Sequence, residues 1–217
     1  MPAKTEIIYE PDRDLYVNNL GGTWAAARGD YSTSGTTYST TATSYNWAVR
    51  VSYSTRFGGQ YLSTRSFFEW DSIGTAYGGH VNKAWFSIKG DKAGGTESSA
   101  YNVRAVICPS PLESDADDFG NIFDGVGNIV ALSLPVLISS TLEQFWTFDF
   151  TDSGIQAIHE KIYNGDKITI ALINELEFDN LAPLSSGANH KFYYVDSSDE
   201  PTLTIEWSNP SMFGANF

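Results

Sequence analysis

This 217-residue chain has one cysteine, two methionines and three histidines, so it is poor in the residue types that carry redox chemistry or bind soft metals. Cys108, in "RAVICPSP", has no partner for an internal disulfide and reads as a small buried apolar residue rather than a nucleophile. Cations are scarce too: 13 Lys and Arg stand against 26 Asp and Glu, a net charge of −13. That balance disfavours nucleic acid, which needs a basic surface, and adhesion to anionic membranes; its plain consequence is solubility. No apolar run approaches the roughly 20 residues of a membrane helix. The opening "MPAKTE" lacks the apolar core of a secretory signal. Asn209-Pro210-Ser211 is blocked as a glycosylation acceptor by its proline.

What is present is aromatic and β-prone. Apolar residues make up 41% and aromatics 14%, enough to bury one sizeable core in a single domain. In "RSFFEWDSIGTAYGGHVNKAWFSIKGD", Arg65–Trp70 carries bulky residues on both faces. Val81–Ile88 then alternates, placing Val81, Lys83, Trp85 and Ser87 on one face and Asn82, Ala84, Phe86 and Ile88 on the other. The two segments are expected to lie adjacent, or nearly so, in a sandwich and to fill its core. Further strands are expected at Asn46–Tyr53, Tyr61–Trp70, His80–Lys89, Tyr101–Cys108, Ile129–Leu137, Gln144–Phe150, Lys167–Asn174, Lys191–Asp196 and Thr202–Trp207. Ile7-Ile8-Tyr9 reads as an arm or an edge strand, and Tyr31–Ser44 as a flexible loop or exposed β-structure. One segment has helical spacing: Ile155, Ile158 and Ile162, with Thr151 or Asp152 to cap the start and Gly165 to end it, predict a helix over Ser153–Tyr163. Many short strands, glycine turns and one short α-helix predict an all-β fold, an antiparallel β-sandwich of the jelly-roll kind.

Chemistry-bearing motifs are few. No Gly-x-Ser-x-Gly elbow occurs, and His80, His159 and His190 form no His-Glu-x-x-His pair. His159 reads as solvated, and "GVGNIV" as a turn rather than a dinucleotide loop. The acidic stretch around Asp115, Asp117, Asp118 and Asp124 resembles a calcium loop in part. However, Phe119 and Val126 fall where oxygen ligands are needed. A solvated loop is the reading taken, with a looser calcium site as its alternative. Trp24, Tyr31, Tyr38 and Trp47 are candidate platforms for stacking on sugar rings. No catalytic set, cofactor or metal is expected.

The segment order resembles the DNRLRE-domain-like family of jelly-roll modules. The residues that carry the likeness are Arg65, Phe67, Phe68, Trp70 and Asp71, then Gly78-Gly79, then Val81, Ala84 and Phe86. Towards the C-terminus they are Asp149-Phe150-Thr151, the Ile155–Ile162 helix, Ile168–Ile173 and Pro201-Thr202-Leu203-Thr204-Ile205. The likeness spans roughly Trp47 to Trp207. It implies a module of the kind found on bacterial surface proteins, in carbohydrate-binding modules and in phage particles. The chain divides into an N-terminal arm with a Ser/Thr-rich segment (1–45), the sandwich (46–207) and a C-terminal tail (208–217). With its own Met1, no catalytic set and apolar ends, it is expected to be a non-enzymatic virion structural protein of a tailed bacteriophage. It would decorate the capsid or build into the tail or fibres, contacting copies of itself and other virion proteins. Interface residues would be Ile7, Ile8, Tyr9, Met212, Phe213 and Phe217. The alternative is a carbohydrate-binding or adhesion module, with surface glycans as partners.

Overall fold

The computed structural model describes residues 4–40, 49–55, 58–74, 79–94, 102–138, 144–184, 188–192 and 199–208. In chain order these form β1 (Lys4–Tyr9), β2 (Arg13–Gly21), α1 (Trp24–Arg28), β3 (Thr37–Ser39), β4 (Val49–Ser54), β5 (Gln60–Trp70), β6 (His80–Gly94) and β7 (Asn102–Ile107). After a 3₁₀ helix, Ala116–Ile122, come β8 (Val130–Ala131), β9 (Val136–Leu137), β10 (Gln144–Asp149), α2 (Asp152–Asn164), β11 (Ile168–Asn174), α3 (Glu175–Phe178), β12 (Ala188–Phe192) and β13 (Thr202–Ser208).

The chain is an antiparallel β-sandwich. One sheet runs β1-β13-β6-β10; the other runs β3-β2-β5-β11-β7-β8, with β4 beside the first half of β5. β12 pairs with both β6 and β4, so hydrogen bonding passes from one sheet to the other. β5 and β6 do not pair. They face each other across the sandwich, where Phe68 meets Phe86 with ring centroids 5.0 Å apart. Trp70 approaches the same Phe86 ring edge-on at 6.1 Å. Large rings fill the gap between sheets, which explains the aromatic content of these two strands.

Strict alternation fails in β6, for a local reason. Glu206 pairs with Lys83 and Trp207 with Val81, so Asn82 is an extra, bulged residue. Val81 and Ala84 therefore both face the core, although alternation put them on opposite faces. β5 is buried on both faces, with Phe67 and Phe68 each at 0% exposure. Phe68 belongs to the inter-sheet core. Phe67 joins Leu15, Val17, Val106, Cys108, Ala171 and Ile173 beneath Leu112, Phe119, Ile122 and Phe123. The acidic stretch is thus no simple solvated loop, because its apolar side chains form a third layer over the second sheet.

The single strand expected at Ile129–Leu137 is split into β8 and β9. Between them Ser133 turns away to accept from the Ala105 N–H, and Pro135 has no N–H for a ladder. β2, α1 and α3 are further elements that periodicity did not reveal. α2 conforms closely to expectation: Thr151 accepts from the Gly154 N–H at 3.2 Å, and Gly165 ends the helix in the left-handed conformation (φ 71°). Ile158 and Ile162 are buried against the inter-sheet core.

Truncating either partner of the central ring contact leaves a cavity that the rigid sheets cannot close. Phe68→Ala and Phe86→Ala should each cost about 3–5 kcal/mol in chemical denaturation. Losses below about 1 kcal/mol for both would contradict this placement of the core.

Candidate functional site

The expected interface residues divide. β1 pairs with β13 over Lys4↔Ser208 to Tyr9↔Leu203, and its other edge has no strand partner among the described residues. Ile7 and Tyr9 pack on the inter-sheet core, whereas Ile8 is 61% exposed. β1 is therefore an edge strand, with apolar side chains inward and one large apolar side chain outward. Met212, Phe213 and Phe217 lie outside the described residues.

The acidic stretch uses its carboxylates to hold its own backbone. Asp118 accepts from the N–H groups of Glu113, Ser114 and Asp115 at 2.8–3.2 Å and from Asn121 Nδ2 at 2.9 Å. Asp115 closes the reciprocal capping box at the start of the 3₁₀ helix. Burial nonetheless pushes the Asp118 carboxyl above its usual range. Asp124 accepts from the N–H groups of Val126 and Asn128 and from Asn128 Nδ2, which holds its carboxyl below the usual range. Asp117 accepts from Ser34 across the loop. The described residues contain no group of three or more His, Cys, Asp or Glu side chains placed to hold a metal ion.

Two other expectations are corrected. Trp24 is not an exposed sugar platform: it is 9% exposed, packed with Ala27, Val51 and Leu176. Tyr31 and Tyr38 do lie exposed, while Trp47 is outside the described residues. His159 is not simply solvated: its ring lies 4.4 Å from that of His80, and its Nδ1 is buried without a hydrogen-bond partner. His190 lies on the β12 backbone, away from that pair in the sheet. Cys108 is buried, and burial pushes its thiol far above the usual range, as expected for an inert core cysteine.

Beneath the 3₁₀ helix lies an ion pair whose partner is not evident from sequence. Arg65 and Glu177 are both fully buried, with Arg65 Nε 2.8 Å and Nη2 2.6 Å from Glu177 Oε1. Ser63 Oγ donates to the same oxygen at 2.9 Å. Arg65 also donates to the carbonyls of Phe119 and Arg28, and its guanidinium stacks 3.6 Å over the Phe119 ring. Arg28 Nε in turn donates to the Glu177 carbonyl at 2.8 Å. A second buried acid, Glu69, accepts from the Leu112 N–H, from Thr169 Oγ1 and from Lys167 Nζ. Arg104 and Glu175 form a two-pronged pair at 2.9 and 2.5 Å. These buried charges tie α1, α3 and the 3₁₀ helix to the second sheet.

No protein-family model matches this chain, and a search of curated proteins finds no similar sequence.

Removing one member of a buried pair strands the other. Arg65→Met should cost about 3–5 kcal/mol in chemical denaturation. Adding Glu177→Leu should recover part of that loss, since no buried charge is then left unpaired, only the Arg28 and Phe119 carbonyls and the Ser63 hydroxyl. If the double variant were no more stable than the single, the ion pair would not be the source of the loss.

The histidine pair predicts a pH dependence. Burial, and then the nearby His80, hold the His159 imidazole below the usual histidine range. The unfolded chain therefore binds the proton more readily. The stabilisation is present above the ordinary histidine value and is lost as pH falls through the folded one. Melting temperature should decline from about pH 7.5 to about pH 5, and less steeply in His159→Gln. Equal slopes in both proteins would remove His159 as the cause.

Proposed function

We propose that this chain is a structural subunit of a tailed-bacteriophage particle, assembling through its sheet edges. The observation that carries the reading is β1: a strand locked to the core by Ile7 and Tyr9, with a second edge unpaired among the described residues and Ile8 facing outward. Such an edge presents backbone donors and acceptors to a neighbour, and the exposed Glu6 and Glu10 beside Ile8 would favour a neighbour with basic side chains at the matching positions. Rigidity supports the same reading, because two buried cores and three buried or half-buried ion-pair clusters brace the sheets.

A second reading, a glycan-binding or adhesion module, draws on the exposed Tyr31 and Tyr38 rings. The two make different demands on the isolated protein. Under the first, sedimentation velocity should show concentration-dependent association that Ile8→Lys weakens. Antibody to the chain should also follow intact particles through a density gradient of the producing host's lysate. A strictly monomeric protein absent from particle fractions, with saturable binding on a glycan array, would replace the first reading with the second.

A further inference from the structure

Among the described arginines, Arg50 differs from the rest. Arg13, Arg65 and Arg104 each have a carboxylate partner, and Arg28 bonds the Glu177 carbonyl and feels its carboxylate. Arg50 is half-buried, its Nε is fully sealed, and it makes no hydrogen bond or ion pair among the described residues. Burial lowers its proton affinity with no neighbouring acid to oppose the effect. In a chain of net charge −13, a desolvated cation without a counter-charge is costly unless something supplies one.

Its surroundings are built from sheet register. Thr37 of β3 stands opposite Asn18 of β2, Asn18 opposite Thr64 of β5, and Thr64 opposite Arg50 of β4. Residues directly opposite one another share a face, so four polar side chains form one rung across four strands. Within the rung Thr64 Oγ1 donates to Asn18 Oδ1 at 2.6 Å, and Asn18 Nδ2 donates to Thr37 Oγ1 at 3.1 Å. This chain of bonds occupies the Asn18 oxygen and the Thr64 hydroxyl proton. The donors left over are the terminal nitrogens of Arg50, the second N–H of Asn18 and the hydroxyl of Thr37. The rung lines a cleft of about 210 Å³, walled also by Tyr16, Leu20 and Leu62, with no acidic side chain among its described lining.

We infer that this cleft binds the carboxylate of a small hydroxylated acid, of the sugar-acid kind. The terminal nitrogens of Arg50 meet the carboxylate, while Asn18 and Thr37 serve the adjoining oxygens. A planar guanidinium edge matches a carboxylate with two parallel hydrogen bonds. Arg50 is the only charged residue in the described lining, so the cleft suits a monoanion. A dianionic phosphate would bring uncompensated negative charge into an already acidic protein. The Leu20, Leu62 and Tyr16 side chains offer apolar contact to the C–H face of a ring beside the polar rung. Nothing in the assignment depends on how the protein assembles.

The test uses the whole chain and three probes: sodium glucuronate, neutral glucose and inorganic phosphate. Glucuronate should bind saturably by calorimetry and shift the Arg50 Nε–H NMR signal. Glucose should do neither, and phosphate should bind more weakly than glucuronate. Arg50→Gln should weaken glucuronate binding about tenfold or more, as expected for loss of a charge-assisted pair. Thr37→Val, at an exposed position, should weaken it by a smaller factor without affecting folding. If Arg50→Gln fails to fold, the NMR titration of the unmodified chain decides alone. An Arg50 signal indifferent to glucuronate overturns the site. Phosphate binding tighter than glucuronate overturns the assignment to a carboxylate.

Discussion

A guanidinium with no contact to water sits where four elements meet. Arg65 projects from β5 and joins Glu177 of α3, the Phe119 carbonyl of the 3₁₀ helix and the Arg28 carbonyl at the end of α1. Burying both charges carries a desolvation penalty, repaid only when the geometry is good and the remaining donors are satisfied. The two helices and the 3₁₀ helix are each short, and none would hold its position by intrinsic propensity. The buried cation gives them a common anchor, and the Phe119 ring closes over its face. One carboxylate oxygen, Glu177 Oε2, has no partner, so the network is tight on one side only.

The two-faced burial of β5 and β11 follows from that anchor. Phe68 and Ile170 face the opposing sheet, while Phe67 and Ala171 face the layer formed by residues 112–123. That layer is held from beneath by Arg65 and from its edge by Glu69, which accepts from the Leu112 N–H. Asp118 then folds the turn upon itself, receiving three backbone N–H groups in succession. Acidic residues that would be solvated in an open loop thus act as caps and staples.

What remains for recognition lies at the margins of this frame. β1 offers a strand edge, and the Thr37–Asn18–Thr64–Arg50 rung offers hydrogen-bond donors around a cation without a counter-charge. Both are rigid, because their strands are bonded into the sandwich along one or both sides. Preorganised donors lose little entropy on binding, and for that reason a short row of side chains can suffice as a site.

From the sequence by itself, the class of fold was legible wherever local chemistry and burial agree. The α2 helix could be read from its isoleucine spacing, Thr151 cap and Gly165 stop, because each acts within a turn or two of chain. The bulky residues on both faces of Arg65–Trp70 announced a strand with two buried sides, although not what would cover the second. Tertiary structure alone decided the rest. Asn82 bulges because Val81 and Ala84 must both reach the core, a demand set by β13 more than a hundred residues away. Arg65 found Glu177 across 112 positions, and Arg50 was left without an acid because register placed threonine and asparagine beside it. Hydrophobic period reports which side of a strand is buried. Which charge meets which partner depends on strand order, and in this chain the partners lie far apart in sequence, 71 positions for Arg104 and Glu175 and 112 for Arg65 and Glu177.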